Sequence, residues 1–200
     1  MRLFAFLFAF LFLPFAGQSQ VIYVNQAATG ANDGTSWADA FVHLQDGLAA
    51  SRPGDQVWIA EGTYTPDRGA GDSPGDRSLS FEPATRVQLF GGFMGSEQST
   101  ASRIGHYSRT ILSGDLQNND VGEVNLTNTS RADNAFHVVR LPAGGSGVQL
   151  NGLTISDGNT GTALGSDDNS GACVLSVGHT EAVLSQVTIQ NCSSAGGGGG

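Results

Sequence analysis

Two stretches of the chain are the same strand written twice. Val148-Gln149-Leu150-Asn151-Gly152-Leu153-Thr154-Ile155-Ser156-Asp157 aligns with Ala182-Val183-Leu184-Ser185-Gln186-Val187-Thr188-Ile189-Gln190-Asn191. Leu150/Leu184, Thr154/Thr188 and Ile155/Ile189 are identical, Leu153/Val187 is conservative, and both stretches end in a residue suited to a turn, Asp157 or Asn191. Side chains of a strand alternate between two faces, so a repeat that preserves phase preserves which residues point inward. Internal repetition of short strands with a polar turn at a fixed phase is the mark of stacked coils. Because a coil needs only about 20 to 30 residues, the excess length between the two strands is expected to loop out around Thr160 to Asn169.

Further strands are expected at Val21–Val24, Gln56–Ala60, Arg86–Phe90, Thr110–Leu112, Phe136–Leu141 and Cys173–Val177, separated by Gly, Asn, Asp and Pro. One helix interrupts them. Ser36 reads as its N-cap, with Asp39 in the place of a capping-box acid, and Trp37, Phe41, Leu44 and Leu48 form an apolar stripe up to Ser51, where Arg52-Pro53-Gly54 stops it. Laid across the first coil, this helix over 36–51 would cover an open strand edge and an exposed apolar end.

The N-terminus carries an address. After Arg2 the chain is apolar from Leu3 to Phe15, too short for a comfortable bilayer span and suited to a secretory signal over residues 1–19. Gly17 and Ser19 supply small residues at −3 and −1 of a cleavage before Gln20; cleavage after Ala16 is the alternative, with Pro14 badly placed at −3. No cysteine stands near the cleavage point, which argues against a lipoprotein. The formal net charge is −9, from nine Arg, no Lys and 18 acidic residues, and loss of Arg2 makes the remainder more negative. Such a balance disfavours nucleic acid and anionic membranes as partners, and the lack of lysine removes Schiff-base and P-loop chemistry. No transmembrane helix is expected after the leader. The sequons at Asn125, Asn128 and Asn191 are read as chance.

Several words of the sequence resemble a known family. They are Tyr23-Val24-Asn25, Gly34-Thr35-Ser36-Trp37, Leu44-Gln45-Asp46-Gly47-Leu48, the run from Gly54-Asp55-Gln56-Val57 to Gly62-Thr63-Tyr64, Leu89-Phe90-Gly91-Gly92-Phe93 and Thr110-Ile111-Leu112-Ser113-Gly114-Asp115. Together they look like the right-handed parallel β-helix repeat proteins of the pectin-lyase-like superfamily, close to surface or secreted forms of Bacteroidetes and to polymorphic outer-membrane proteins. The resemblance implies an all-β solenoid with an N-terminal capping helix, exported to the cell surface or medium of a bacterium. It also implies a longer parent, since Gly196 to Gly200 look like the opening of another coil and the chain reads as the N-terminal part of a β-helix domain over 20–200.

Enzymes of this fold resemble one another in stacking carboxylates on the sheet surface, with Ca²⁺ and an Arg or Lys base in the lyases. Asp157 and Asn191 share a phase but offer one carboxylate and one amide, a turn ladder before a metal site. Asp167, Asp168 and Asn169, and Asp115 and Asp120 around Asn118 and Asn119, match no calcium-loop spacing and read as solvated loops. His43, His106, His137 and His179 are scattered, so zinc is not expected. Ser113 lacks the surroundings of a nucleophile elbow, and Arg109 and Arg140 read as surface ion-pair residues. The sequence therefore assigns no catalytic, cofactor or metal residue, Ca²⁺ being merely the cation such oxygens would select. Two functions stay open: a non-catalytic, adhesin-like or carbohydrate-contacting scaffold with a polysaccharide or cell-surface partner, and a polysaccharide lyase or glycosidase with its site in further coils. The missing carboxylate cluster favours the first. Finally, Cys192 falls opposite Gly158 rather than Cys173 in the strand alignment, so the two cysteines are expected not to be bonded, with Cys173 a small core residue.

Overall fold

A computed structural model describes residues 19–103, 106–161, 169–178 and 181–196. The expected leader lies outside the described residues except for Ser19, and so do Asp167, Asp168, His179 and most of the expected loop at 160–169.

The strands are β1 (Val21–Val24), β2 (Gln56–Ala60), β3 (Gly62–Tyr64), β4 (Gln88–Phe93), β5 (Thr110–Ser113), β6 (Val139–Leu141), β7 (Val148–Ser156), β8 (Val174–Ser176) and β9 (Ala182–Gln190), with one helix, α1 (Leu44–Ala50), between β1 and β2. Every strand pair is parallel. The main sheet runs β1-β2-β4-β7-β5-β3, with β9 on the outside of β7, and β6 with β8 forms a second small sheet. The result is a curled, all-parallel, mostly β architecture with one helix, compatible with a β-helix-like fold.

The strand repeat is realised residue for residue: Val148 pairs with Ala182, Leu150 with Leu184, Thr154 with Thr188 and Ile155 with Ile189. Because β-strand side chains alternate, this register lines up whole columns through the sheet. Ile22, Val57, Leu89, Leu150 and Leu184 form one inward column. The first four are at most 1% exposed, whereas Leu184, on the last described strand, is 43% exposed. Val24, Ile59, Leu112, Leu153 and Ile155 fill the same core from the main sheet, and Phe81, Val139, Leu141 and Cys173 meet them from the other side.

β4 and β5 are one level of the stack that has been split. β4 lies on the first half of β7 through Gln88–Phe90, and β5 lies on its second half through Ile111–Ser113. Residues 94–103 leave the line and 106–109 lead back to it, and Thr110 Oγ1 accepts from Gly92 N at 2.9 Å. Between its two halves β7 bends at Gly152 (φ +71), and β9 bends at Gln186 (φ +56). A Cβ on Gly152 would stand 2.8 Å from the Tyr107 ring and 3.0 Å from Gly91 O, so the close approach of the 94–109 segment requires glycine there.

The helix is shorter than its apolar stripe suggested. Residues 36–43 are not helical, because Ser36 and Asp39 spend their groups on a local loop: Asp39 N donates to Ser36 Oγ, and Asp39 Oδ1 accepts from Ala31 N. Phe41 bridges β1 instead, its N donating to Tyr23 O and its O accepting from Asn25 N. Trp37 goes to the opposite face of the sheet. What remains, α1, lays Leu44 and Leu48 on Ile22, Val24, Val57 and Ile59. Gly47 permits this contact, since a Cβ there would lie 2.7 Å from Val24 Cγ2. Leu44→Asp would bury an unpaired carboxylate at a 1% exposed position and is expected to cost on the order of 3 kcal/mol. A loss below about 0.5 kcal/mol in urea denaturation would contradict this packing.

Cys173 and Cys192 form a disulfide, with Cα atoms 5.6 Å apart, against the expectation from the alignment. The alignment compared positions within one strand column. Cys173 lies just before β8 and Cys192 follows the turn at Asn191; Gly158, the residue aligned with Cys192, closely approaches Ala172 and Cys173, so the bond joins two adjacent segments rather than two levels of one strand column. No helix among the described residues is long and apolar enough to cross a membrane.

Candidate functional site

Two surfaces concentrate polar or aromatic side chains. The first lies where β5, β7 and β9 end. Ser113, Ser156 and Gln190 are in register, so the next residues, Gly114, Asp157 and Asn191, share a turn position. Asp157 (φ +66) and Asn191 (φ +55) both adopt the left-handed conformation that short polar side chains tolerate. The expected turn ladder is therefore present, and it leads into a depression of about 330 Å³ lined by Asp115, Asp120, Val121, Gly122, Val124, Arg131, Asp157 and Asn191.

Arg131 occupies the centre. Its side chain is 3% exposed, Nη1 binds Asp120 Oδ2 at 2.6 Å, and Asp157 Oδ1 is 3.9 Å away. Nη2 donates to Asn191 O at 2.6 Å and more weakly to Gly158 O at 3.4 Å. Asp120 also accepts from Asn134 Nδ2, and Asp157 accepts from Ser113 and Ser156 hydroxyls. Burial raises the Asp120 carboxyl above its ordinary value; Asn134 and Arg131 work against that shift, and Asp115 and Asp157 add to it. The guanidinium stands where a cation bridging these carboxylates would stand. Among the described residues no group of three or more His, Cys, Asp or Glu is set to hold a metal ion.

Sequence reasoning found Asp115, Asp120, Asp157 and Asn191 separately but missed Arg131, which joins them. Its only signal was an arginine after Asn128-Thr129-Ser130, a short turn in which Asn128 accepts from Ser130 N. Ser113 is a member of the ladder, with Asp115 N donating to its Oγ. Arg109 and Arg140 make exposed pairs with Glu61 (3.4 Å) and Glu82 (3.9 Å). The three described histidines do not converge: His43 precedes α1, His106 is exposed with its N on Glu61, and His137 is buried with Nδ1 on Gly171 O.

The second surface is the outer wall of the main sheet. Val21, Gln56, Gln88, Gln149 and Val183 form one outward column, and Tyr23, Trp58, Phe90, Asn151 and Ser185 form the next. Three glutamine amides thus stand one strand apart, half-buried, beside an aromatic column. Trp58 donates to Gln56 Oε1 and stacks on Phe93 with ring centroids 4.8 Å apart. Tyr23 meets Trp37 edge to face at 4.9 Å, and Trp37 Nε1 donates to Glu97 O.

The 94–109 segment borders this wall. Glu97 shapes its start: burial opposes the carboxylate's charge, but the backbone N–H groups of Met94, Ser96, Glu97 and Gly95 outweigh it and lower the group below its ordinary value. Arg103 lies over Phe90, Phe93 and Tyr107 and donates to Gly91 O and to Asn151 Oδ1. Met94 and Tyr107 remain exposed at the rim.

Comparison of the chain with models of protein families, with curated proteins and with solved structures finds no match.

Proposed function

We propose that the chain is an exported protein of the right-handed parallel β-helix type whose outer sheet wall contacts a polysaccharide, or another cell-surface glycan, without transforming it. The observation that carries this reading is the column Gln56-Gln88-Gln149 beside Tyr23 and Trp37, the partly exposed rings that pack over buried Trp58. Parallel strands repeat at about 4.8 Å, so the amides form an evenly spaced row of donors and acceptors. A chain of sugar hydroxyls has the same mixed hydrogen-bonding character, and aromatic edges suit the apolar faces of the rings. The net charge of −9 favours a neutral glycan over an anionic one.

Affinity electrophoresis against a panel of neutral polysaccharides tests the reading. At least one glycan should retard the protein, and Gln88→Ala combined with Gln149→Ala should weaken that retardation about tenfold, roughly 1.4 kcal/mol, with the melting temperature held. Retardation unchanged by the double substitution, or by no glycan at all, would contradict it. A polysaccharide-active enzyme is the second reading, favoured by the raised Asp120 carboxyl beside Asp115 and Asp157. Release of unsaturated or reducing ends from any glycan that binds, lost in Asp120→Asn, would put this reading first.

A further inference from the structure

We propose that Asp55 is the receptor for the α-amino group that leader removal creates at Gln20, so that processing converts a neutral backbone contact into a charged latch on the first strands. The proposal rests on the export reading and on the cleavage before Gln20. Its geometry is already present in the uncleaved chain. Gln20 N donates to Asp55 Oδ1 at 2.9 Å, and Asp55 is 6% exposed. The second carboxylate oxygen accepts from Arg52 N at 2.9 Å. On either side of this contact the backbone is tied into the sheet: Gln56 N donates to Gln20 O, and Gln88 N to Asp55 O. Asp55 therefore holds the chain at the point where β1 begins, one residue before Val21.

Hydrolysis of the Ser19–Gln20 peptide bond consumes one water; Ser19 leaves with the carboxylate and Gln20 keeps the nitrogen as an α-ammonium. The nitrogen facing Asp55 then carries a full charge in place of an amide dipole, and a charged hydrogen bond is stronger than a neutral one. The other charged groups around it are Arg52 and Arg86, which line the same depression of about 380 Å³ with Ser19, Gln20, Pro53, Gly54 and Asp55. Both are exposed cations that oppose a third positive charge, and Asp55 is the single carboxylate among the described residues lining that space. Cleavage after Ala16 instead would leave Gln20 N an amide, and the latch would not form.

The sequence makes the test clean. All nine basic residues of this sequence other than histidine are arginines, so an amine-reactive ester followed by mass at the peptide that begins at Gln20 reports on the α-amine there without interference from a neighbouring lysine. The full gene is expressed with export, and the mass of the exported protein gives its first residue. Acylation rate is then followed against pH in native protein, in urea-unfolded protein and in Asp55→Asn. The unfolded amine should titrate near the ordinary 7.7 to 8.0, and the native one about a unit higher, reacting about fivefold more slowly at pH 8. Asp55→Asn should return it to the unfolded profile.

Because the amine's folded value is raised, its stabilisation is complete below the unfolded value and is lost as pH rises through the folded one. The melting temperature of the exported protein should fall across that window. N-terminal acetylation, which leaves Asp55 intact, should remove the fall, and this arm stands even where Asp55→Asn folds poorly. A protein that begins at Gln20 but whose native and unfolded amines react alike would overturn the latch and leave export standing. A retained leader, or another first residue, would overturn the cleavage reading and the latch with it. A mass lower by one ammonia, from closure of Gln20 onto its own side chain, would overturn the latch because no ammonium would exist.

Discussion

Arg131→Ala is expected to destabilise the protein by about 3 to 5 kcal/mol, because it removes one partner of a buried ion pair and leaves the other without a counter-charge. Asp120 would lose its 2.6 Å contact while staying largely out of water, and Asn191 O would lose a donor at the same distance. The effect reaches beyond one pair. Arg131 stands after β5, and its fork holds the turns that follow β7 and β9, so it ties three levels of the stack at one edge. Urea denaturation measures the loss, and hydrogen exchange should show it concentrated at the ends of β7 and β9. Arg131→Lys should recover only part of the stability, since a point charge cannot serve Asp120 and two carbonyls in one plane. A loss in Arg131→Ala below about 1 kcal/mol would mean that the carboxylates are solvated and that the guanidinium is not the centre of the cluster.

Reduction of the Cys173–Cys192 disulfide is expected to cost about 3 kcal/mol, the range for a loop of this size, here a sequence separation of 19. The loop it closes contains β8 and β9. Most of β9 is exposed, and among the described residues it pairs with β7 alone. Backbone pairing with β7, the packing of Val187 and Ile189 on the core, the Arg131 bond to Asn191 O and the covalent tie at its end are what hold it. Cys192→Ser should leave β1 to β7 protected from exchange while β9 exchanges at a free energy lower by a similar amount. Equal loss of protection over all strands would show that β9 does not open as a separate unit.

The parts of the fold that were legible in the sequence are those where one level repeats the previous one without interruption. β7 and β9 could be paired from sequence because alternation and the turn at Asp157 and Asn191 keep the same phase. β2 and β4 were legible as strands from Val57 and Ile59 and from Leu89. The split level was not. Thr110–Leu112 reads as a strand of its own, and nothing in its composition says that it continues the line of Gln88–Phe93 after a detour. The helix was over-extended for a related reason. Trp37 and Phe41 keep a helical spacing with Leu44, yet Trp37 serves the outer aromatic cluster and Phe41 pairs with β1. Apolar spacing cannot distinguish two sides of one sheet from one side of a helix. The cysteine expectation failed because a column argument describes neighbours along one strand position and is blind to the adjacent segment, where Ala172 and Cys173 abut Gly158. Of the carboxylate cluster, the turn residues were visible and the arginine was not. Its role depends on three carbonyl and carboxylate oxygens brought together from positions far apart in the chain.

The parallel register stacks Leu89, Leu150 and Leu184 in one inward column. Methyl–methyl nuclear Overhauser effects in protein carrying labelled leucine methyl groups measure it directly. Cross-peaks should link Leu89 to Leu150 and Leu150 to Leu184, none should link Leu89 to Leu184, and the first two should be lost in Leu150→Ala. A cross-peak between Leu89 and Leu184, or neither expected contact in a folded sample, would contradict the stacked order.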